Sequence, residues 1–391
     1  MVSSLFGDEE EAEKFEEAEA EADAAAPPEP VELSPKSNPD LLGHETAEAA
    51  LLADYNVGRM PHALILSGPA GIGKATFAYR IARFLFKQGG EQAAGLFGEP
   101  EKPASLYVSP DDPVFRRVVS GGHADLVVVE RELDEKKGKL KQDIAVETVR
   151  DIKNKLHAKA AEGGWRVAIV DSAEYLNATG QNALLKVLEE PPSKTLIILT
   201  TSQPGSFLPT IRSRCRMVNL DPLADVTLVK LLEKFVPGIG DGEKEAIARY
   251  SEGSIGQALQ FYADGGMTLY GELLKTASTI PAIDIVKLHD SADKLSREEQ
   301  KYETCRAILT GWCQRLARIE ARGGRVTDMM PGDGVILQKL LDQFPPRHFL
   351  LTWEKMSQLF RQVEWSNLDK RQALIGAFLM IQNPDYPALA V

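Results

Sequence analysis

The sequence predicts an α/β protein: a parallel sheet carrying a phosphate-binding loop, or P-loop, followed by two helical regions. Three observations carry this reading. A glycine loop stands between an apolar run and a helical pattern over residues 62–90. Short apolar runs recur at 126–129, 165–171 and 195–200 with helical periodicity between them. Beyond residue 221 the periodicity is helical throughout. With 391 residues, 43% hydrophobic and 26% charged, the chain can bury a large core and form two or three domains.

The N-terminal stretch is acidic. Residues 8–32, beginning DEEEAEKFEEAEAEADAAAPPEP, predict a disordered tail over 1–37, with a partner-docking amphipathic helix as the alternative, and they supply part of the net charge of −12. The tail has the character of neither a signal nor a transit peptide, and no apolar run reaches the roughly 18 to 20 residues of a membrane span, so a cytoplasmic location is expected. Nothing outside the tail advertises a strongly basic surface, which argues against tight direct binding of duplex DNA. Cys215, Cys305 and Cys313 are too few and too scattered for a disulfide framework or a four-cysteine zinc site.

The first strand is expected at His62–Ser67 (HALILS), and the loop Gly68–Thr76 (GPAGIGKAT) follows at once. In GxxxxGK[ST] the glycines let backbone N–H groups turn inward around phosphates, the lysine reaches the terminal ones, and Ser or Thr ligates Mg²⁺. Gly68, Gly71, Gly73 and Lys74 satisfy the pattern; Ala75 lacks the hydroxyl, and Thr76 stands one place late. A helix is predicted from Lys74, with Phe77, Ile81, Phe84 and Leu85 on one face and Gly89-Gly90 as its stop.

Gln88–His123 reads as irregular, an insertion or long loop before the strand Leu126–Val129, and Glu130–Gln142 as a charged excursion. Val146, Val149, Ile152 and Leu156 mark a helix closed by Gly163-Gly164. Trp165–Asp171 (WRVAIVD) then has the form of a Walker B strand, where a terminal aspartate orients Mg²⁺ and its water, making Asp171 the candidate. The residue after it, where a water-polarising glutamate is needed, is Ser172; Glu174 comes two positions later, a shift that changes its direction and reach and suits a solvated helix-cap acid better than a substitute base.

Asn177–Glu190 (NATGQNALLKVLEE) is a predicted helix stopped by Pro191-Pro192, and Thr195–Thr200 a strand, followed by TSQPGSFLPTIRSRC. Residues 171–215 resemble the clamp-loader branch of the AAA+ ATPases, in which NALLKxLEEPP precedes a sensor strand and a loop ending Ser-Arg-Cys. QNALLKVLEEPP with IRSRC looks like a subunit of the bacterial DNA polymerase III clamp loader, and the resemblance covers roughly residues 38–391.

The resemblance implies an AAA+ P-loop module over 38–220, a helical lid over 221–268 and an all-α oligomerisation (collar) domain over 269–391. Val226–Phe235 and Glu243–Tyr250 supply lid helices. Tyr302, Cys305, Ile308, Leu309, Trp312, Leu316 and Ile319 line one long helix, and Trp353, Met356, Phe360 and Val363 another, before Asn367–Ile381. Motor subunits of the family carry Lys-Thr, Asp-Glu and a lid arginine in GSxRxAL; here these are Lys74-Ala75, Asp171-Ser172 and Gly256 in EGSIGQALQF. The pattern matches the family member that does not hydrolyse ATP.

Arg214, in Ser213-Arg214-Cys215, matches the arginine the family projects onto a neighbour's ATP, where a guanidinium stabilises charge developing at the γ-phosphate. Arg212 reads as solvated and Cys215 as a small core residue. The family's four-cysteine zinc module has no counterpart in Gln88–His123, and His123 alone cannot make one, so no zinc is expected. No cofactor is required by this reading, although a cradle of N–H groups can hold ATP or ADP without turnover at Gly68, Gly71, Gly73, Lys74, Thr76 and Asp171. The implied partners are the delta and gamma/tau subunits, with the sliding β clamp and primed DNA reached through the complex. The chain alone is expected not to be catalytic, within an assembly of DNA-directed DNA polymerase. The alternatives are an ATP-hydrolysing gamma/tau-like motor subunit, using Thr76 and Glu174, and a P-loop small-molecule kinase, in which LEEPP and SRC would have no role.

Overall fold

The computed structural model describes residues 34–89, 102–134, 139–158, 160–161, 164–366 and 368–387. Most of the expected acidic tail, Gly90 and Gly163 lie outside the described residues.

Five strands form one parallel sheet: β1 (Ala63–Ser67), β2 (Leu126–Val129), β5 (Arg166–Val170), β6 (Thr195–Thr201) and β7 (Arg216–Asn219), in the order β2-β5-β6-β1-β7. A small antiparallel ladder, β3 (Leu133–Asp134) with β4 (Lys139–Leu140), occupies the charged excursion. The central strands are aliphatic on both faces, as a covered parallel sheet requires. Their period of two sorts them cleanly: Leu64, Leu66, Val167, Ile169, Leu196 and Ile198 face one layer, whereas Ile65, Ala168, Val170, Ile197 and Leu199 face the other.

The first layer holds α1 (Glu45–Asn56), α2 (Lys74–Gly89) and α3 (Pro113–Val119); the second holds α4 (Val146–His157) and α5 (Ala178–Glu189). The expectation that Gln88–His123 is irregular needs correction. Asp112 caps α3 by accepting from the Val114 N–H at 2.9 Å, and Leu106, Val108, Phe115 and Val118 are buried in the core shared with α2. Burial of those side chains, invisible to a local reading of Gly and Pro, turns part of the segment into a wall of the sheet layer. Arg83 of α2 is buried there as well, its guanidinium over the Phe115 ring at 4.4 Å and donating to the Asn38 carbonyl at 2.9 Å, which fastens the N-terminal segment to α2. Burial lowers its pKa to about 10.

After β6 come the short α6 (Pro209–Arg212) and β7, an edge strand with mostly exposed side chains. The rest is helical: α7 (Asp225–Phe235), α8 (Asp241–Tyr250), α9 (Ile255–Ala263), α10 (Gly266–Ala277), α11 (Ile285–Ser296), α12 (Glu299–Arg322), α13 (Asp333–Gln343), α14 (His348–Ser366) and α15 (Lys370–Gln382). One continuous apolar core runs through all of them, from Leu223 to Ile381. The 24-residue α12 buries Tyr302, Cys305, Ile308, Leu309, Trp312 and Leu316 and stops at Gly323, whose φ of 67° is the left-handed turn glycine makes at least cost. Among the described residues no helix is long and apolar enough to cross a membrane.

Candidate functional site

In a parallel sheet every strand delivers its carboxyl end to the same edge. The loop after β1, Asp171 after β5 and Thr200 to Ser202 at the end of β6 therefore meet around a cavity of about 340 Å³, lined by Gly71, Gly73, Lys74, Thr76, Asp171 and Glu174 among others. Gly68 lies beside it rather than on its wall: a Cβ there would stand 2.4 Å from the Leu220 carbonyl oxygen. Gly71 and Gly73 have φ of 73° and 101°, backbone that other residues rarely adopt. The buried His44 donates from Nε2 to the Ile72 carbonyl at 2.8 Å, pinning the loop from α1's N-terminal side.

Lys74 folds back on its own loop, donating from Nζ to the carbonyls of Gly68 (2.8 Å) and Pro69 (2.6 Å). Desolvation lowers its pKa, while the charges of Glu174 and Asp171 pull the other way. Asp171 accepts a 2.6 Å bond from the Thr200 hydroxyl, which in turn accepts from the Ser172 N–H at 2.9 Å. Ser172 sits in the left-handed region at φ 52°. Glu174 accepts from the Ser202 hydroxyl at 2.6 Å through Oε1, and its Oε2 is buried without a hydrogen-bond partner among the described residues. Thr200 is thus a site residue the sequence reading missed; a polar residue ending an apolar strand was the available signal.

The lid-side helix α9 begins on the loop itself. The Gly256 N–H donates to the Gly71 carbonyl at 2.9 Å, and Ser254 caps α9 by accepting from the Gln257 N–H at 3.1 Å. A Cβ on Gly256 would stand 2.9 Å from the Gly71 Cα, so a side chain, an arginine included, fits this position only if the loop or the helix shifts.

Arg214 lies away from this cavity, after α6. Its Nη2 pairs with Glu189 Oε1 at 3.0 Å, and its Nη1 donates to the Thr210 carbonyl at 3.0 Å; the side chain is 35% exposed. Arg212 is exposed. Cys215 packs partly buried against the second sheet layer, and burial pushes its thiol up to about 12, leaving a poor nucleophile. Among the described residues no three or more of His, Cys, Asp and Glu come together to hold a metal.

The donor set suits a phosphate group better than a reacting Mg²⁺-nucleotide. Loop N–H groups and Lys74 can hold phosphate oxygens. A metal at this edge would have Asp171, already bonded to Thr200, but no hydroxyl from position 75. The cavity offers Glu174 as an acid, yet one of its oxygens is committed to Ser202.

A five-stranded parallel sheet with a glycine loop, a Walker-type strand end and a helical lid defines a P-loop protein of the AAA+ type. Residues 43–224 match the family described as DNA polymerase III, delta subunit. The similar curated proteins include DNA polymerase III subunit delta' of Escherichia coli (strain K12), 32% identical over 54% of this chain and 58% of that protein, and that of Pseudomonas aeruginosa, 38% identical over 39% and 41%. DNA polymerase III subunit gamma/tau of Mycobacterium tuberculosis (strain ATCC 25618 / H37Rv) is 34% identical over 46% of this chain and 28% of that one. Over residues 43–224 the chain is similar to delta-prime subunits of DNA polymerase III. The chain spans no more than 58% of the length of these relatives.

Proposed function

We propose that this chain serves in DNA replication as a non-hydrolysing delta-prime subunit of the clamp loader, presenting Arg214 to the ATP of a neighbouring motor subunit. The observation that carries the reading is the loop with three nucleotide-handling positions filled by Ala75, Ser172 and Gly256, the last packed on Gly71, while Arg214 stays part-exposed at the rim of the sheet module. Its partners are then the delta and gamma/tau subunits, with the β clamp and primed DNA engaged through the assembly in the cytoplasm. A boundary near residue 220 separates the nucleotide-binding-like part from the helical remainder, in which the lid and collar share one core and residue 268, the expected division between them, lies within α10. Gly68, Gly71, Gly73, Lys74, Thr76 and Asp171 remain a cradle able to hold ATP or ADP without turnover.

A guanidinium acting in trans needs no nucleotide in its own chain, because it stabilises charge on the neighbour's phosphate. The test is ATP hydrolysis by the reconstituted loader with clamp and primed DNA. Arg214→Ala is expected to depress it strongly, within the 10³–10⁵-fold range known for such arginines as an upper bound. Lys74→Ala is expected to change it little, and the isolated chain to be inactive. Hydrolysis by the isolated chain, abolished by Lys74→Ala, would establish the motor reading, which the gamma/tau relative and the unpartnered Glu174 oxygen favour.

A further inference from the structure

Glu189 and Glu190 end α5, where the partial negative charge of the helix C-terminus disfavours anions. Two carboxylates there do nothing for the helix. Glu189 instead takes one edge of the Arg214 guanidinium at 3.0 Å, and the Thr210 carbonyl takes another N–H at 3.0 Å. Both partners of the pair are solvent-accessible, 35% and 49% exposed. We propose that Glu189 is a positioning residue that parks Arg214 in its own subunit until a neighbour's nucleotide draws it away, an inference that rests on the trans role of Arg214.

The strengths of the two interactions make the exchange feasible. An exposed carboxylate pair is weak and screened by salt. A triphosphate offers a guanidinium a more highly charged, bidentate partner in a site sheltered from water. The neighbour's ATP therefore competes successfully, whereas an empty neighbour leaves Arg214 neutralised on Glu189. The arginine is thereby kept from other anions, including DNA phosphates passing through the assembly.

The experiment uses the reconstituted loader with full-length chains, clamp and primed DNA, and measures KM and kcat for ATP at low and high salt. Glu189→Gln is expected to lower the KM by up to about fivefold, the most an exposed pair is worth, with little change in kcat. The gain should shrink at high salt, where the parked pair is already screened. Glu189→Asp, one methylene short of the guanidinium, is expected to behave similarly, and adding Arg214→Ala should erase the gain. An unchanged or raised KM in Glu189→Gln, with Arg214→Ala still harmful, overturns the parking role and leaves the trans arginine standing. If Arg214→Ala has no effect at all, the trans reading itself fails.

Discussion

The backbone N–H of Gly256 donates to the carbonyl of Gly71 at 2.9 Å, tying the start of a lid-side helix to the phosphate loop. Glycine stands at both ends of this contact for a steric reason. A Cβ on Gly71 would lie 2.3 Å from Ser254 Oγ, and one on Gly256 would lie 2.9 Å from the Gly71 Cα. Nearby Gly253, at φ 90°, accepts from the Leu223 N–H at 2.9 Å and has Pro222 against it. The lid thus reaches the loop through the Gly256 backbone, with the Ser254 hydroxyl close beside Gly71.

Gly256→Ala is expected to cost about 1–3 kcal/mol or to release the contact, because the obstructing atom is backbone and cannot swing aside. Denaturant unfolding reads the first outcome and faster amide exchange at Gly256 the second. A variant with unchanged unfolding and unchanged exchange would mean that the contact is dispensable.

Restoring one missing group should not create an ATPase. Ala75→Ser returns a hydroxyl to the loop but leaves Ser172 and Gly256 as they are, so the isolated chain is expected to release no phosphate above background. Measurable turnover would show that the hydroxyl was the only deficiency.

Asp333 is fully buried and accepts from Tyr270 Oη (2.5 Å), Arg315 Nη1 (2.7 Å) and the Met329 N–H (3.0 Å), joining α10, α12 and α13. Asp333→Ala strands Arg315, whose side chain is only 11% exposed. The expected loss is about 3–5 kcal/mol, read as a lowered denaturation midpoint. A loss below about 1 kcal/mol would mean that water readily replaces the carboxylate.

Tyr250, Tyr270 and Tyr302 all have pKa values raised above 10.0, chiefly by burial. The folded protein therefore holds these protons where the unfolded chain has lost them. This contribution to stability is complete below pH 10 and falls as pH rises beyond it. Tyrosinate absorbance from these residues should appear only together with loss of helical circular dichroism. Gradual ionisation of all nine tyrosines with the helices intact would contradict that burial.

Local chemistry made much of the fold legible. The aliphatic runs became β1, β2, β5 and β6, and Asn177 caps α5 by accepting from the Gly180 N–H at 2.9 Å, where the pattern started that helix. Edge strand β7 was not legible, because Arg216 to Asn219 shows little alternation and pairs only through its backbone with β1. Helix α3 was hidden by flanking Gly and Pro, and the signal present was Asp112 followed by Pro113. At the site, Lys74, Thr76 and Asp171 were named from the sequence and the structure gathers them around one cavity, whereas Glu174, which the sequence reading set aside, lines the same cavity. Thr200 and Glu189 were not, since their importance lies in what they touch.

The sequence by itself determined which chemical groups this protein owns: a glycine loop with a lysine, no hydroxyl at position 75, no acid at 172, no guanidinium at 256, and an arginine in Ser213-Arg214-Cys215. Tertiary structure alone decided which of those groups meet. Gly256 reaches Gly71, Asp171 reaches Thr200 and Arg214 reaches Glu189 only after separate elements have packed. Periodicity and turn chemistry act over a few residues, whereas such pairings are selected by the fit of whole layers against one another.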